Sequence, residues 1–185
     1  MTRDPRHVLT ELLVLRARDG DETAFAELHA TWAATFARLA LAHVRDPQRV
    51  DEIVQETWIQ IARGLARLAD PSSFASWAFR ILDRRCADAL RARDREERRA
   101  SSLPSESELP PAPQDRPEES DTLTALRLAI ARLDQGSQKL LHLFYDAGLP
   151  VAEIASLLGI PDGTVKSRLH SLRETLRRHL ERRPS

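Results

Sequence analysis

Apolar residues return every third or fourth position through most of the chain, the period of amphipathic helices. Nowhere does the short Val-, Ile-, Thr- and Tyr-rich alternation that marks strands occur. The expected fold is therefore all-α. Four helices are predicted first: 8–19, closed by Gly20; 22–45, capped by Asp21 and stopped at Asp46-Pro47; 48–68; and 74 to about 99, with Ser73 as cap. In the third, Val54, Trp58, Ile61, Leu65 and Leu68 are spaced 4, 3, 4, 3, and Ala69–Ser73 after it is a loop by composition. Four more are predicted over 121–134, 137–147, 151–158 and 162–181. Breaks fall at Gln135-Gly136, Gly148-Leu149-Pro150 and Gly159-Ile160-Pro161.

Between the two sets lies SSLPSESELPPAPQDRPEES, residues 101–120, where five of the chain's 11 prolines and five acids stand against one Arg. Such a stretch buries too little surface to offset its ordering entropy, which predicts a flexible acidic linker. The domain reading is 1–100, linker 101–120, and 121–185. The 185 residues carry 28 basic and 28 acidic groups, which excludes a protein that coats nucleic acid by bulk charge. The zero is an average: the three segments carry +1, −4 and +3. A single cysteine, Cys86, excludes a disulfide framework and a Cys-based zinc site within the chain. His43, His142 and His179 lack a second ligand at metal spacing, so no metal or cofactor is expected. The N-terminus does not read as a signal peptide, and no apolar run reaches membrane-span length.

Residues 151–181, VAEIASLLGIPDGTVKSRLHSLRETLRRHLE, have the layout of a helix-turn-helix. Ile154, Ala155 and Leu158 point inward, and Gly159 supplies the positive φ a tight turn needs. Val165, Leu169, Leu172, Leu176 and Leu180 form one stripe on the second helix. The opposite face presents Ser167, His170, Ser171 and Glu174, flanked by Lys166, Arg168, Arg173 and Arg177. Short polar groups between cations suit base edges between phosphates, and Thr164 lies at the helix N-terminus, where free N–H groups hold a phosphate. A basic solvated helix closing an ordinary bundle is the plain alternative.

Five stretches in order carry a resemblance to the extracytoplasmic-function (ECF) group of bacterial sigma factors. They are Leu13–Leu28 (LVLRARDGDETAFAEL), Asp51–Ile61 (DEIVQETWIQI), Phe74–Arg91 (FASWAFRILDRRCADALR), Gln138–Leu158 and Gly159–Arg173 (GIPDGTVKSRLHSLR). The resemblance implies two small helical domains, a sigma region-two bundle and a region-four helix-turn-helix. It further implies a non-catalytic, cytoplasmic subunit that binds core RNA polymerase and directs it to particular promoters. The first domain would bind core and open the −10 element, and the second would read the −35 element.

On the 48–68 helix, Glu52, Gln55, Glu56, Ile59 and Arg63 lie opposite the apolar stripe, and the resemblance set out above adds Asp51 to the core-binding set. An exposed Ile among carboxylates, with Glu52 and Glu56 repelling at i,i+4, suits a partner surface better than helix stability. A solvated acidic face is the competing reading, and the match to DEIVQET favours core-polymerase binding. For the −10 element the resemblance points to Asp70, Ser72, Ser73, Phe74, Trp77, Arg80, Arg84, Asp88 and Arg91. Trp77 and Phe79, by spacing alone, read as core. For the −35 element it points to Thr164, Lys166, Ser167, Arg168, His170, Ser171 and Arg173.

Two departures from the family pattern alter the expected base preference. Arg84 stands where an Asn is common, and Ser171 where an Arg often pairs with guanine. The resemblance also implies an anti-sigma partner, with a free chain that is monomeric and has no direct membrane insertion. The competing function is a helix-turn-helix regulator with a helical sensory domain, which gives the 51–59 face no role. No phosphate loop or convincing pair of catalytic carboxylates supports an enzyme.

Overall fold

The computed structural model describes residues 5–44, 46–100 and 121–181. Its described residues contain helices and turns and no strand. The chain divides into two compact units, Met1–Glu108 and Leu109–Ser185, each with its own core. The expected linker, 101–120, lies outside the described residues.

The first unit packs α1 (Pro5–Arg18), α2 (Glu22–Val44), α3 (Pro47–Gly64) and α4 (Phe74–Ala100). Asp21 caps α2 as expected, Oδ1 accepting from Ala24 N at 3.0 Å. That bond first, then Arg16 against Oδ2, holds the Asp21 carboxyl below the usual carboxylate range. Asp46 stops one helix by starting the next: it accepts from Gln48 N and Arg49 N, with Pro47 in the first turn of α3. The third helix also ends earlier than expected, because the chain tightens into a 3₁₀ turn at Leu65–Arg67 that keeps Leu65 and Leu68 buried.

Trp32, Phe36, Phe74 and Phe79 are fully buried and form the aromatic centre of this core. Trp32 lies 6.2, 6.1 and 5.9 Å from Phe36, Phe74 and Phe79. Its Nε1 donates to Thr10 Oγ1 at 3.0 Å, and the Arg6 guanidinium lies 4.1 Å from its ring centroid. Such a tip, polar and partnered on an apolar body, lets a tryptophan sit at the centre of a core. Cys86 is buried and reads as the small core residue its surroundings require.

Gly64 is where α3 and α4 come close. A Cβ placed there would stand 2.8 Å from the Trp77 ring, nearer than carbon atoms approach. Alanine is a better helix former by about 1 kcal/mol. Gly64→Ala is nevertheless expected to destabilise this unit by roughly 1–3 kcal/mol, because a rigid ring must move. Thermal unfolding of the variant followed by helical circular dichroism checks the sign.

The second unit contains α5 (Asp121–Ala131), α6 (Gln135–Leu141), α7 (Val151–Leu158) and α8 (Asp162–Glu181). Gln135-Gly136 does not break the chain as expected. Asp134 caps α6 just before it, accepting from Ser137 N at 3.0 Å and from the Ser137 hydroxyl. Buried Gln138 closes the end of α5, its Nε2 donating toward the carbonyls of Ile130, Ala131 and Leu133. Beyond α6 the backbone widens into a π turn, His142–Asp146, with Ala147 N bonded to His142 O at 2.9 Å.

The Asp134 cap has a pH consequence. The Ser137 hydroxyl first, then the Ser137 backbone N–H, lowers the carboxyl pKa below its usual value. The folded pKa lies below the unfolded one, so the stabilisation is present above the unfolded value and fades as pH falls through the folded one. Asp134→Ala is expected to cost about 1 kcal/mol at neutral pH, the worth of an N-cap. The gap between variant and parent should close in acid, which urea titrations at several pH values measure.

Candidate nucleic-acid and polymerase interfaces

α7 ends at Gly159, whose φ of 65° and ψ of 33° take the left-handed conformation that the sequence assigned to it. Ile160 N reaches back to Ala155 O at 3.1 Å, turning the chain at once. The Pro161 carbonyl then accepts from Thr164 N and Val165 N, at 2.9 and 3.2 Å, to open α8. Ile154, Ala155, Val165, Leu169 and Leu172 are buried together, so α8 is held across α7 by one stripe. Leu158, Leu176 and Leu180 are half-buried at its margin.

This packing turns the other face of α8 outward. Lys166, Ser167, Arg168, His170, Ser171 and Arg173 are all exposed, and Thr164 at the helix start is half-buried. Ser167 Oγ donates to Thr164 O at 3.1 Å, which leaves its lone pairs as acceptors. Arg173 Nε donates to the hydroxyl of Tyr145 at 2.7 Å, a pairing across 28 residues that no periodicity predicts.

On α3, Asp51, Glu52, Gln55, Glu56 and Ile59 are exposed together, Ile59 at 44%. Glu56 pairs with Arg85 of α4 at 3.5 Å, which opposes its repulsion from Glu52. Asp51, Gln55 and Ile59 edge a shallow apolar groove of about 390 Å³ that Phe25, His29 and Trp58 also line. Phe25 and His29 belong to α2, so this surface extends past the helix from which it was read. Trp58 Nε1 is buried and has no hydrogen-bond partner among the described residues.

In the 69–73 loop, Asp70 rather than Ser73 is the cap. Its carboxylate accepts from Ser72 N at 2.9 Å, Ser72 Oγ at 2.7 Å and Ser73 Oγ at 2.9 Å, closing a 3₁₀ turn, Pro71–Ser73, that runs into α4. Phe74 must be removed from the DNA-facing set. It has no exposed surface and packs on Trp32, so no base can stack on it. Trp77 is half-buried, 6.2 Å from Phe74. Arg80, Arg84, Asp88 and Arg91 then follow at spacings of 4, 4 and 3, one stripe about 16 Å long. Within it Arg91 bonds Asp88 at 2.6 Å, and this bond is the chief cause of a lowered Asp88 pKa.

The buried stripe and the exposed polar and cationic face of α8 give the second unit the form of a helix-turn-helix, carried with a separate helical unit. Residues 28–96 match the family model of Sigma-70 region 2, and residues 123–176 that of Sigma-70, region 4. The ECF RNA polymerase sigma factor RpoE of Cereibacter sphaeroides is 30% identical over 168 residues, covering 86% of this chain and 88% of that protein. The ECF RNA polymerase sigma factor SigM of Mycobacterium tuberculosis is 29% identical over 176 residues, covering 95% and 87%. A longer relative also matches, the chain spanning 43% of its length. The fold is shared with the sigma factor RpoE of Bartonella quintana, solved with its anti-sigma factor NepR, at a TM-score of 0.68 and 21% identity over 86% of this chain and 98% of that one.

The chain belongs to the ECF RNA polymerase sigma factors. It is a sigma subunit that directs promoter-specific transcription, and sigma factors are non-catalytic subunits that bind RNA polymerase. No helix among the described residues is long and apolar enough to cross a membrane.

Proposed function

We propose that the two units divide promoter recognition between three surfaces. Asp51, Glu52, Gln55, Glu56 and Ile59 bind core polymerase. Asp70, Ser72, Ser73, Trp77, Arg80, Arg84, Asp88 and Arg91 address the −10 element. Thr164, Lys166, Ser167, Arg168, His170, Ser171 and Arg173 address the −35 element. The observation that carries this reading is the clean separation on α8, where Val165, Leu169 and Leu172 are buried and the cations between them exposed. The loop acts through shape: with both serine hydroxyls donating to Asp70, the serine oxygens remain acceptors toward a base held beside the turn.

The free chain is a monomer in this reading. An anti-sigma factor is its inhibitor, by analogy with the Bartonella quintana sigma factor solved with one. With Ser171 where an arginine would pair bidentately with guanine, the −35 preference departs from that of relatives carrying the arginine.

The test adds the purified chain to core polymerase and maps transcript starts, which should share two upstream elements. Ile59→Asp, which puts a charge on the exposed apolar position, should weaken binding to core roughly thirtyfold, as loss of a central interface anchor does. The isolated variant should keep its melting temperature. Unaltered core affinity would remove α3 from the polymerase interface.

A further inference from the structure

We propose that Tyr145 is a positioning residue for Arg173, holding its guanidinium ready for a phosphate on the promoter. This rests on the assignment of Arg173 to the −35 surface. The Tyr145 hydroxyl accepts from Arg173 Nε at 2.7 Å. The guanidinium carbon lies 5.6 Å from the centroid of Phe144 and 5.8 Å from that of Tyr145, within reach of cation–π attraction to both rings. Those rings meet edge to face, 4.9 Å apart at 82°, so each limits the motion of the other.

The backbone that carries them is unusual. Phe144 and Tyr145 stand in the π turn His142–Asp146, and such widened turns are rare and recur at functional positions. The turn is anchored by Leu143, fully buried, while Tyr145 is 54% exposed. A tyrosine that exposed adds little to the core, so its contact with α8 is the chief consequence of its placement.

A guanidinium has five N–H donors. The bond to Tyr145 uses the one on Nε and leaves four on the terminal nitrogens, the fork that pairs with two phosphate oxygens. A long exposed side chain loses rotamer freedom when it takes hold of a partner. Held beforehand by Tyr145, Arg173 has less to lose. The phenol keeps its own hydrogen as well, so direct donation from Tyr145 to the DNA is the rival explanation that the experiment must separate.

The experiment uses holoenzyme assembled from core polymerase and the full chain, on a promoter recovered by mapping transcript starts, with affinity measured over a range of salt. Arg173→Ala should weaken promoter binding about tenfold and reduce the salt slope by about 1. Tyr145→Phe keeps the ring and removes only the hydroxyl. It should weaken binding about threefold to fivefold, a fraction of the arginine's effect, since one hydrogen bond is lost. In the Arg173→Ala background the same change should do nothing more, and neither variant should alter the melting temperature or core affinity. Full affinity in Tyr145→Phe overturns the positioning role, as do losses that add in the double variant, which would give the hydroxyl its own contact. No effect of Arg173→Ala overturns the −35 assignment itself, a different failure.

Discussion

Replacing Lys166 and Arg168 together with alanine is expected to reduce promoter-directed transcription about a hundredfold while core binding stays intact. Each such contact with DNA is worth about 1–3 kcal/mol, and about 2.8 kcal/mol in total corresponds to two factors of ten. Both side chains are exposed on the open face of α8, on either side of Ser167. Neither contributes to the packing of Val165, Leu169 and Leu172, so the helix should keep its place. The measurement is transcript yield at limiting holoenzyme, with the salt dependence of promoter binding beside it. A phosphate contact removed lowers the salt slope and weakens all promoters alike, whereas a base contact changes which promoter suffers. Undiminished yield from the double variant would place the −35 surface elsewhere.

The second large effect is on stability. Trp32→Ala should cost the first unit about 3–5 kcal/mol, the range for an aromatic residue deleted from a closed core. The indole is fully buried among Phe36, Phe74 and Phe79 and is also the donor to Thr10. Thr10 Oγ1 in turn donates to Arg6 O at 2.7 Å, so the deletion loosens the start of α1 as well. For a unit of this size the melting midpoint should fall by about 15 °C or more. Trp32→Phe, which refills most of the space and loses the N–H, should fall between variant and parent. A midpoint unmoved by the alanine would show that the aromatic centre is not what holds the four helices.

The helical period exposed most of this architecture in advance, because an amphipathic stripe has to be buried somewhere. The α7–Gly159–α8 corner was legible for a second reason: glycine tolerates the left-handed conformation at little strain, so its position marks the turn. What the period could not supply is the identity of contacts between elements. Phe74 reads on paper as an aromatic beside a loop, and only the folded chain puts it on Trp32. Composition offered Ser73 as the cap of the fourth helix, whereas in the folded loop it is the Asp70 carboxylate that accepts from Ser72 and Ser73. The 3₁₀ turn at Pro71–Ser73 made the difference by moving the first free N–H groups upstream. Gly64 carries no pattern at all, since its role is to make room for the ring of Trp77, 13 positions on. The π turn is likewise invisible to a 3.6-residue count, and with it the meeting of Tyr145 and Arg173.

The aromatic centre also makes the two units distinguishable by light. All three tryptophans, Trp32, Trp58 and Trp77, belong to the first unit, and the only tyrosine, Tyr145, to the second. Indole emission therefore reports the unfolding of α1–α4 and stays silent on the helix-turn-helix, which circular dichroism still records. Two denaturation curves from one unlabelled sample, fluorescence and ellipticity, separate into two transitions wherever the units melt independently, and coincide wherever a bound partner makes them melt as one.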